Sequence, residues 1–243
     1  MTREDFAGIR SALLDLVFPR NCTTCNTRMI DDDGHLCWDC RASAEYVLDP
    51  FCSRCGDPAD GEIRHDYVCS FCRRRTIWFD SARSAVRYRG PFRESIQQFK
   101  YNRATHLSTD FAPFLRACVE THFPRHRFDG ITIVPMHPRK ERERCYNQAA
   151  LLGAGLAAEL AVSYRPRCLR RVKDVRSQTR LTARQRAANV RAAFAVNHQG
   201  WIEGRRWLLV DDVMSTGATV NECARVLKQA GAASVSVVTL ARG

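Results

Sequence analysis

The 243-residue chain has no apolar run long enough to cross a bilayer. Its longest runs, such as Ser11-Ala-Leu-Leu-Asp-Leu-Val-Phe18, fall far short of the roughly 20 residues a helical span needs. The first residues also lack an unbroken hydrophobic stretch, because Glu4, Asp5 and Asp15 interrupt it, so no signal peptide is expected. No lipidation pattern stands at either end. With 26% charged and 45% hydrophobic residues, the chain is neither disordered nor collagen-like. A protein without a transmembrane segment, located in the cytoplasm, is the expectation. Lysine is missing from the first 76 residues, and aromatic residues are missing from 165–191.

Those two gaps are part of a wider asymmetry. The first 76 residues carry 10 Arg against 13 acids, a net of −3, whereas the remainder carries +15. Cysteine runs the other way, with eight of twelve between Cys22 and Cys72. Opposite shifts of this kind predict an N-terminal helix over 1–19, a cysteine module over 20–76 and a larger domain over 77–243. The larger part can bury a core of its own, while the smaller needs metal or cross-links. Phe6, Ile9, Leu13, Leu16 and Val17 recur at helical spacing before Pro19, which reads as a helix docked on the rest of the chain.

The cysteines fall in four Cys-x2-Cys pairs: Cys22 and Cys25, Cys37 and Cys40, Cys52 and Cys55, Cys69 and Cys72. Such a knuckle brings two thiolates to one ion, and two knuckles complete a tetrahedral S4 shell suited to structural Zn²⁺. Eight thiolates imply two ions. Sequential pairing is favoured, and the spacing also permits a cross-braced one. Disulfides are the competing reading, but they are rare in a reducing cytosol. A closed S4 shell has no open coordination position, which excludes chemistry at the metal. Two centres of charge −2 bring the loaded module to about −7, a poor general nucleic-acid clamp and a better docking or positioning unit.

Beyond residue 76, strand-like and helix-like stretches alternate. Strands are expected at Ser84–Tyr88, Ile131–Val134, Trp207–Val210 and Val235–Leu240. Helices are expected at Pro91–Tyr101, Ser108–His122, Gln148–Leu160 and Ala218–Ala230. This order predicts an α/β fold, a mainly parallel sheet flanked by helices, with ligands beyond the carboxyl ends of the strands. One such end is distinctive. Trp207-Leu-Leu-Val210 runs into Asp211 and Asp212, then Met214, Ser215, Thr216, Gly217, Ala218 and Thr219 open a helix. Hydroxyls and helix-start amides suit a phosphate. Two carboxylates suit the vicinal hydroxyls of a sugar. Together they describe a site for a ribose 5-phosphate.

The segment Val210–Thr219 closely resembles the phosphoribosyl-pyrophosphate (PRPP) motif of type I phosphoribosyltransferases. The four cysteine pairs, Phe99-Lys-Tyr-Asn102, Val134-Pro-Met-His137, Arg144-Cys-Tyr-Asn-Gln148, Arg170-Arg171 with Gln178, Arg186-Ala-Ala-Asn-Val190 and Ala241-Arg242 resemble one branch, the ComF family of competence-related proteins, also called GntX-like. These blocks cover most of residues 20–243. The resemblance implies a type I phosphoribosyltransferase fold with an N-terminal double zinc ribbon. It implies a pyrophosphate loop at Pro135, Met136 and His137, with Arg139 and Lys140 nearby, binding PRPP with Mg²⁺. It also implies a flexible loop holding Arg170, Arg171, Arg176, Gln178, Arg180, Arg184, Arg186 and Asn189. One position departs: the family has Gly where this chain has Cys145, which puts a backbone-approach role there in question. Asn147 is placed to cap the following helix. His137 suits either proton transfer or a hydrogen bond to phosphate.

Residues 165–191 carry ten Lys/Arg and one acid. This +9 excess exceeds what one pyrophosphate uses, and it suits a solvated loop, a lid over the ligand or a track for a nucleic-acid backbone. No aromatics stack bases within it; Tyr88, Tyr101 and Tyr146 lie in neighbouring blocks and suit either packing or stacking. Two functions follow from the resemblance. One is a competence protein handling incoming single-stranded DNA, with competence-machinery partners. The other is an active transferase moving ribose 5-phosphate from PRPP to an unknown acceptor.

Overall fold

The computed structural model describes residues 20–29, 34–59, 61, 63, 67–124, 127–173 and 192–243. The expected helix over 1–19 and the loop positions Arg176, Gln178, Arg180, Arg184, Arg186 and Asn189 lie outside the described residues.

Four parallel strands form the central sheet: β1 (Ser81–Arg87), β2 (Gly130–Ile133), β5 (Arg206–Met214) and β6 (Ser234–Arg242), in the order β1-β6-β5-β2. A separate antiparallel pair, β3 (Leu169–Arg171) with β4 (Phe194–Val196), brackets the basic segment. Leu208, Leu209 and Val210 in β5 and Val235, Val237 and Val238 in β6 are fully buried, as parallel strands covered on both faces require. Ser84 and Thr239, both buried, satisfy each other across β1 and β6 at 2.7 Å.

Helices cover both faces. On one side α3 (Gly90–Tyr101), α4 (Leu107–His122) and α6 (Gln148–Leu160) bury Phe92, Ile96, Phe99, Phe111, Leu115 and Leu152 against the sheet. On the other, α7 (Ala218–Gln229) buries Val220, Cys223 and Leu227 with Trp207 and Leu209. The lone Cys118, Cys168 and Cys223 are buried in these cores, as small apolar residues are expected to be, whereas Cys145 is exposed.

Three features differ from the sequence reading. Arg170 and Arg171, expected in a flexible loop, lie on β3, held by the pairing with Phe194 and Ala195 of β4. Strand β5 does not stop at Val210. It runs on through Met214, with Asp211 opposite Thr239 and Met214 opposite Arg242. Asp211 and Asp212 are therefore held on the strand itself. A helix, α5 (Pro138–Arg144), fills what reads as loop; it buries none of its residues, so no apolar periodicity announces it.

The cysteine-rich segment wraps the β1 edge. Val47 N donates to Ala85 O at 3.1 Å and Arg87 N to Glu45 O at 2.7 Å, which pairs the outer side of β1 and leaves no open ladder along that stretch. Cys22, Cys37 and Cys40, next to α1 (Trp38–Ala42), join the core on the α4 face. Cys52, Cys55, Cys69 and Cys72, next to α2 (Ser70–Arg73), join the core on the α7 face. The two cysteine clusters thus straddle the sheet.

Candidate functional site

Each cysteine cluster gathers four thiol sulfurs within 4.8 Å of one another: Cys22, Cys25, Cys37 and Cys40 in one, Cys52, Cys55, Cys69 and Cys72 in the other. The sequential pairing is the one adopted. Four sulfurs each about 2.3 Å from a tetrahedral centre stand about 3.8 Å apart, whereas a disulfide holds them at about 2 Å. Cys25 and Cys37 sulfurs lie 3.6 Å apart, as do those of Cys55 and Cys69. Backbone amides already face the sulfurs, from Cys37 to Cys22 and from Cys69 to Cys52, both at 3.3 Å. The acid–base chemistry agrees. Thr27 pulls Cys25 down to about 6. At the second cluster burial opposes ionisation, but backbone N–H bonds from Cys55, Cys69 and Arg54 bring Cys52 down to about 7. Burial and neighbouring sulfurs push Cys55 up to about 12 and Cys40 and Cys72 higher still. Each cluster thus holds one thiol that ionises easily, and two, Cys37 and Cys40 in the first and Cys55 and Cys72 in the second, that resist until a cation compensates. The donor set fits two structural Zn²⁺ ions.

The first ribbon is held to α4 chiefly through one carboxylate. Asp110 of α4, its side chain 1% exposed, accepts from His35 N at 3.1 Å, Leu36 N at 3.3 Å, the His35 ring at 3.1 Å and Arg41 at 2.9 Å. The second sits on β1, where Ala82 N donates to Arg54 O at 2.8 Å. There Gly56, at φ 66°, comes so close that a Cβ would stand 2.8 Å from Ala82 O.

Beyond the end of β2, beside Asp211 and Asp212 of β5, lies a cleft of about 200 Å³. Of the residues singled out from sequence, Pro135, Met136, Lys140, Arg171, Asp211, Asp212 and Thr219 line it. Burial and the charge of Asp212 push Asp211 up to about 8, against the pull of Lys100 and Arg171. Asp212 pairs with Lys100 Nζ at 3.2 Å, both side chains 15% exposed. Gly217 takes φ 69° at the N-cap of α7. A Cβ there would meet nothing nearer than Met214 Sδ at 3.6 Å, so Gly217 is needed for its left-handed backbone and not for space. Ser215 is exposed, and Thr216 and Ala218 are partly so, at the mouth of the loop.

Other expected residues stand apart. The Met214 side chain is 2% exposed in the core, leaving only its backbone for the loop. His137 caps α5, its ring accepting from Arg139 N at 3.3 Å, and Arg139 pairs with Glu143 at 3.1 Å on the exposed face. Arg170 faces solvent.

Lys100, Tyr101, Arg144, Asn147 and Gln148 complete the cleft wall without having been assigned to it from sequence. One block aligns them. Tyr146 donates its hydroxyl to Phe99 O, and Gln148 Nε2 donates to Lys100 O at 3.2 Å, which fixes the C-terminal carbonyls of α3. Asn147 caps α6 through Ala149 N at 3.0 Å and donates to Val134 O at 3.3 Å, just past the end of β2. Cys145, where the family has Gly, takes φ 67° as the C-cap of α5. A left-handed cap is a position that glycine fills without strain, and this chain places a larger side chain in it.

The double zinc ribbon family matches residues 13–73, and the phosphoribosyl transferase domain family matches 147–243. Over 229 residues the chain is 28% identical to competence protein F of Haemophilus influenzae, covering 93% of this chain and 98% of that protein. It is 29% identical over 229 residues to the DNA utilization protein YhgH of Escherichia coli, covering 85% and 96%. Among solved structures, the adenine phosphoribosyltransferase of Thermoanaerobacter pseudethanolicus aligns at 21% identity and TM-score 0.38, over 61% of this chain and 74% of that one. The chain thus joins a double zinc ribbon to a phosphoribosyl transferase domain, and it is similar almost end to end to competence protein F, to YhgH and to the competence protein ComFC of Bacillus subtilis.

Proposed function

We propose that the cleft binds PRPP with Mg²⁺ and that the chain serves a competence-type role in which it handles single-stranded DNA. The observation that carries the ligand reading is the pairing of Asp211 and Asp212, near the end of β5, with a glycine-started helix a few residues on. Carboxylates accept from vicinal ribose hydroxyls, and the amides and hydroxyls of 215–219 receive the 5-phosphate. Lys100, Lys140, Arg144 and Arg171 on the facing walls suit the pyrophosphate. Magnesium would enter with the pyrophosphate oxygens, keeping most of its water ligands.

The DNA reading is supported by the charge excess of 165–191 and by the names of the relatives, a competence protein and a DNA utilization protein. Counterion release by such a segment gives salt-dependent binding.

Calorimetric titration of Mg²⁺–PRPP into the zinc-loaded protein tests the first reading. Binding by the parent, lost in the Asp211→Asn, Asp212→Asn double variant, is expected; a folded parent that takes up no PRPP overturns it. Fluorescent single-stranded DNA tests the second. Neutralising Arg176, Arg180, Arg184 and Arg186 should weaken binding and flatten its salt dependence, and unchanged binding removes the assignment. Pyrophosphate release on adding acceptors to the PRPP complex separates a transferase from a PRPP-regulated DNA handler.

A further inference from the structure

We propose that Arg242 is a positioning residue for the phosphate loop, and that the second zinc ribbon sets it through Asp57, so that the second zinc centre and the ribose-phosphate site are coupled. The inference rests on the reading of the cleft as a ribose-phosphate site.

The contacts form one unbroken chain. Cys52, a ligand of the second centre, donates its backbone N–H to Asp57 O at 2.8 Å, closing the knuckle. The Asp57 carboxylate pairs with Arg242 Nη2 at 2.7 Å. Arg242 Nη1 donates to Met214 O at 2.7 Å and to Ser215 O. Its side chain is only 10% exposed. Gly243 N adds a bond to Met214 O at 3.0 Å. A trans peptide points its N–H away from its own C=O. Anchoring the carbonyls of Met214 and Ser215 on Arg242 therefore turns the amides of Ser215 and Thr216 to the opposite side of the loop. Loop amides held in one orientation before the ligand arrives are what an anion site requires.

Arginine is the residue type for this task. Its planar fork reaches two carbonyls and a carboxylate at once, which a lysine ammonium on a flexible stem does not reproduce. The first ribbon makes no such link: among the described residues its ties run to α3 and α4, through Asp110, Ser95 and His106. The coupling thus belongs to one centre. Reciprocity requires that a ligand on the loop tighten the second zinc as much as that zinc tightens the ligand.

The test uses the full zinc-loaded chain, with Asp57→Asn, Arg242→Met and Arg242→Lys, and Arg116→Gln on the exposed face of α4 as a control. Asp57→Asn keeps the knuckle carbonyl and the side-chain shape, so it keeps the fold even if Arg242→Met does not. Three readings are taken: zinc content, amide hydrogen exchange of 213–219 without ligand, and PRPP affinity with Mg²⁺. With both zincs retained, Asp57→Asn should speed exchange of the loop and weaken PRPP about tenfold, within the usual range of coupling factors. Arg242→Lys should not rescue. In the parent, saturating PRPP should make the second zinc harder to extract by a competing chelator, and Asp57→Asn should abolish that protection. If Asp57→Asn leaves loop exchange at the parent rate, the proposal is overturned. If the parent binds no PRPP, the ribose-phosphate reading fails, and loop exchange still decides whether the brace exists.

Discussion

Asp211 is held in an environment that works against the fold, and replacing it with Asn should make the protein more stable and unable to bind its ligand. Burial and Asp212 raise Asp211 from an ordinary 3.8 to about 8. At about 1.4 kcal/mol per tenfold change in proton affinity the ceiling on this cost is about 6 kcal/mol. The carboxyl lines an open cleft and titrates with its partner, so about 1–3 kcal/mol is the expected part. The sign follows from proton counting. Between pH 4 and 8 the folded chain keeps a proton on Asp211 that the unfolded chain has lost, so the parent loses stability as pH rises through that window. An amide holds no such proton. The advantage of Asp211→Asn should therefore be slight near pH 4 and grow up to about pH 8, then level off. For a chain of this size, about 1–3 kcal/mol corresponds to roughly 2–12 °C in Tm. The assay is thermal unfolding of the zinc-loaded parent and variant at pH 6, 7 and 8.5, a range in which the thiolate centres remain metallated, with PRPP calorimetry alongside. A gain in Tm that widens with pH, together with loss of PRPP binding, is the expected result. A variant less stable than the parent at every pH, or a gain independent of pH, would refute the account of the acid pair.

Other outcomes are expected on the same grounds. Stripping zinc with a chelator at neutral pH should abolish the cooperative thermal transition and the near-ultraviolet dichroism, because the ligands sit within both cores. Asp110→Ala removes a carboxylate from four donors at the first ribbon and should cost about 3 kcal/mol, seen as a Tm lower by roughly 6–12 °C and faster extraction of one zinc. Cys145→Gly relieves a left-handed residue at φ 67° and should raise stability by about 0.5–1 kcal/mol in denaturant melts, with PRPP affinity unchanged. Lys100→Met removes the partner of Asp212 and one cation of the cleft, and should weaken Mg²⁺–PRPP about tenfold or more with the zinc content intact, measured calorimetrically.

What is legible in the sequence is what is local. Asp211, Asp212 and the 215–219 loop are neighbours along the chain, and a buried strand running into a glycine-started helix can be read without knowing what lies opposite. The same holds for each Cys-x2-Cys pair. The extent of β5 is not legible, since aspartates disfavour strand and the pattern breaks at Val210. Pairing of Val213 and Met214 with Ala241 and Arg242 carries the strand past that break. Lys100 is out of reach for a different reason. It stands on the last turn of α3, far along the chain from Asp212, and only closure of the fold brings the two within 3.2 Å. Its block, Phe99–Asn102, stands out in the sequence without a role attached. Arg139 shows the converse error of proximity. It lies beside Pro135, Met136 and His137 in sequence, but α5 turns it outward to Glu143.

The opposed charges of the two parts, which in the sequence mark only modularity, have a physical counterpart where the parts meet. Contacts across the boundary include ion pairs of both polarities. Asp57 of the acidic ribbon meets Arg242, and Arg41 of the ribbon meets Asp110. Each lies against a tetrathiolate centre whose own charge is −2 once loaded. The second pair is the more instructive. A buried aspartate placed near a negatively charged metal centre is unfavourable unless it is well supplied with donors, and the donors here are His35 and Leu36, between the knuckles of the first centre, and Arg41, just after Cys40. Asp110 is thus satisfied by the ribbon in the shape that gathers its four sulfurs. The sheet in turn has its β1 edge covered by residues 45–47, which connect the two ribbons. Neither part completes its hydrogen bonding without the other. The zinc ribbons are therefore best understood as part of the scaffold that shapes the cleft, and the requirement for zinc should be felt at the 215–219 loop as well as at the cysteines.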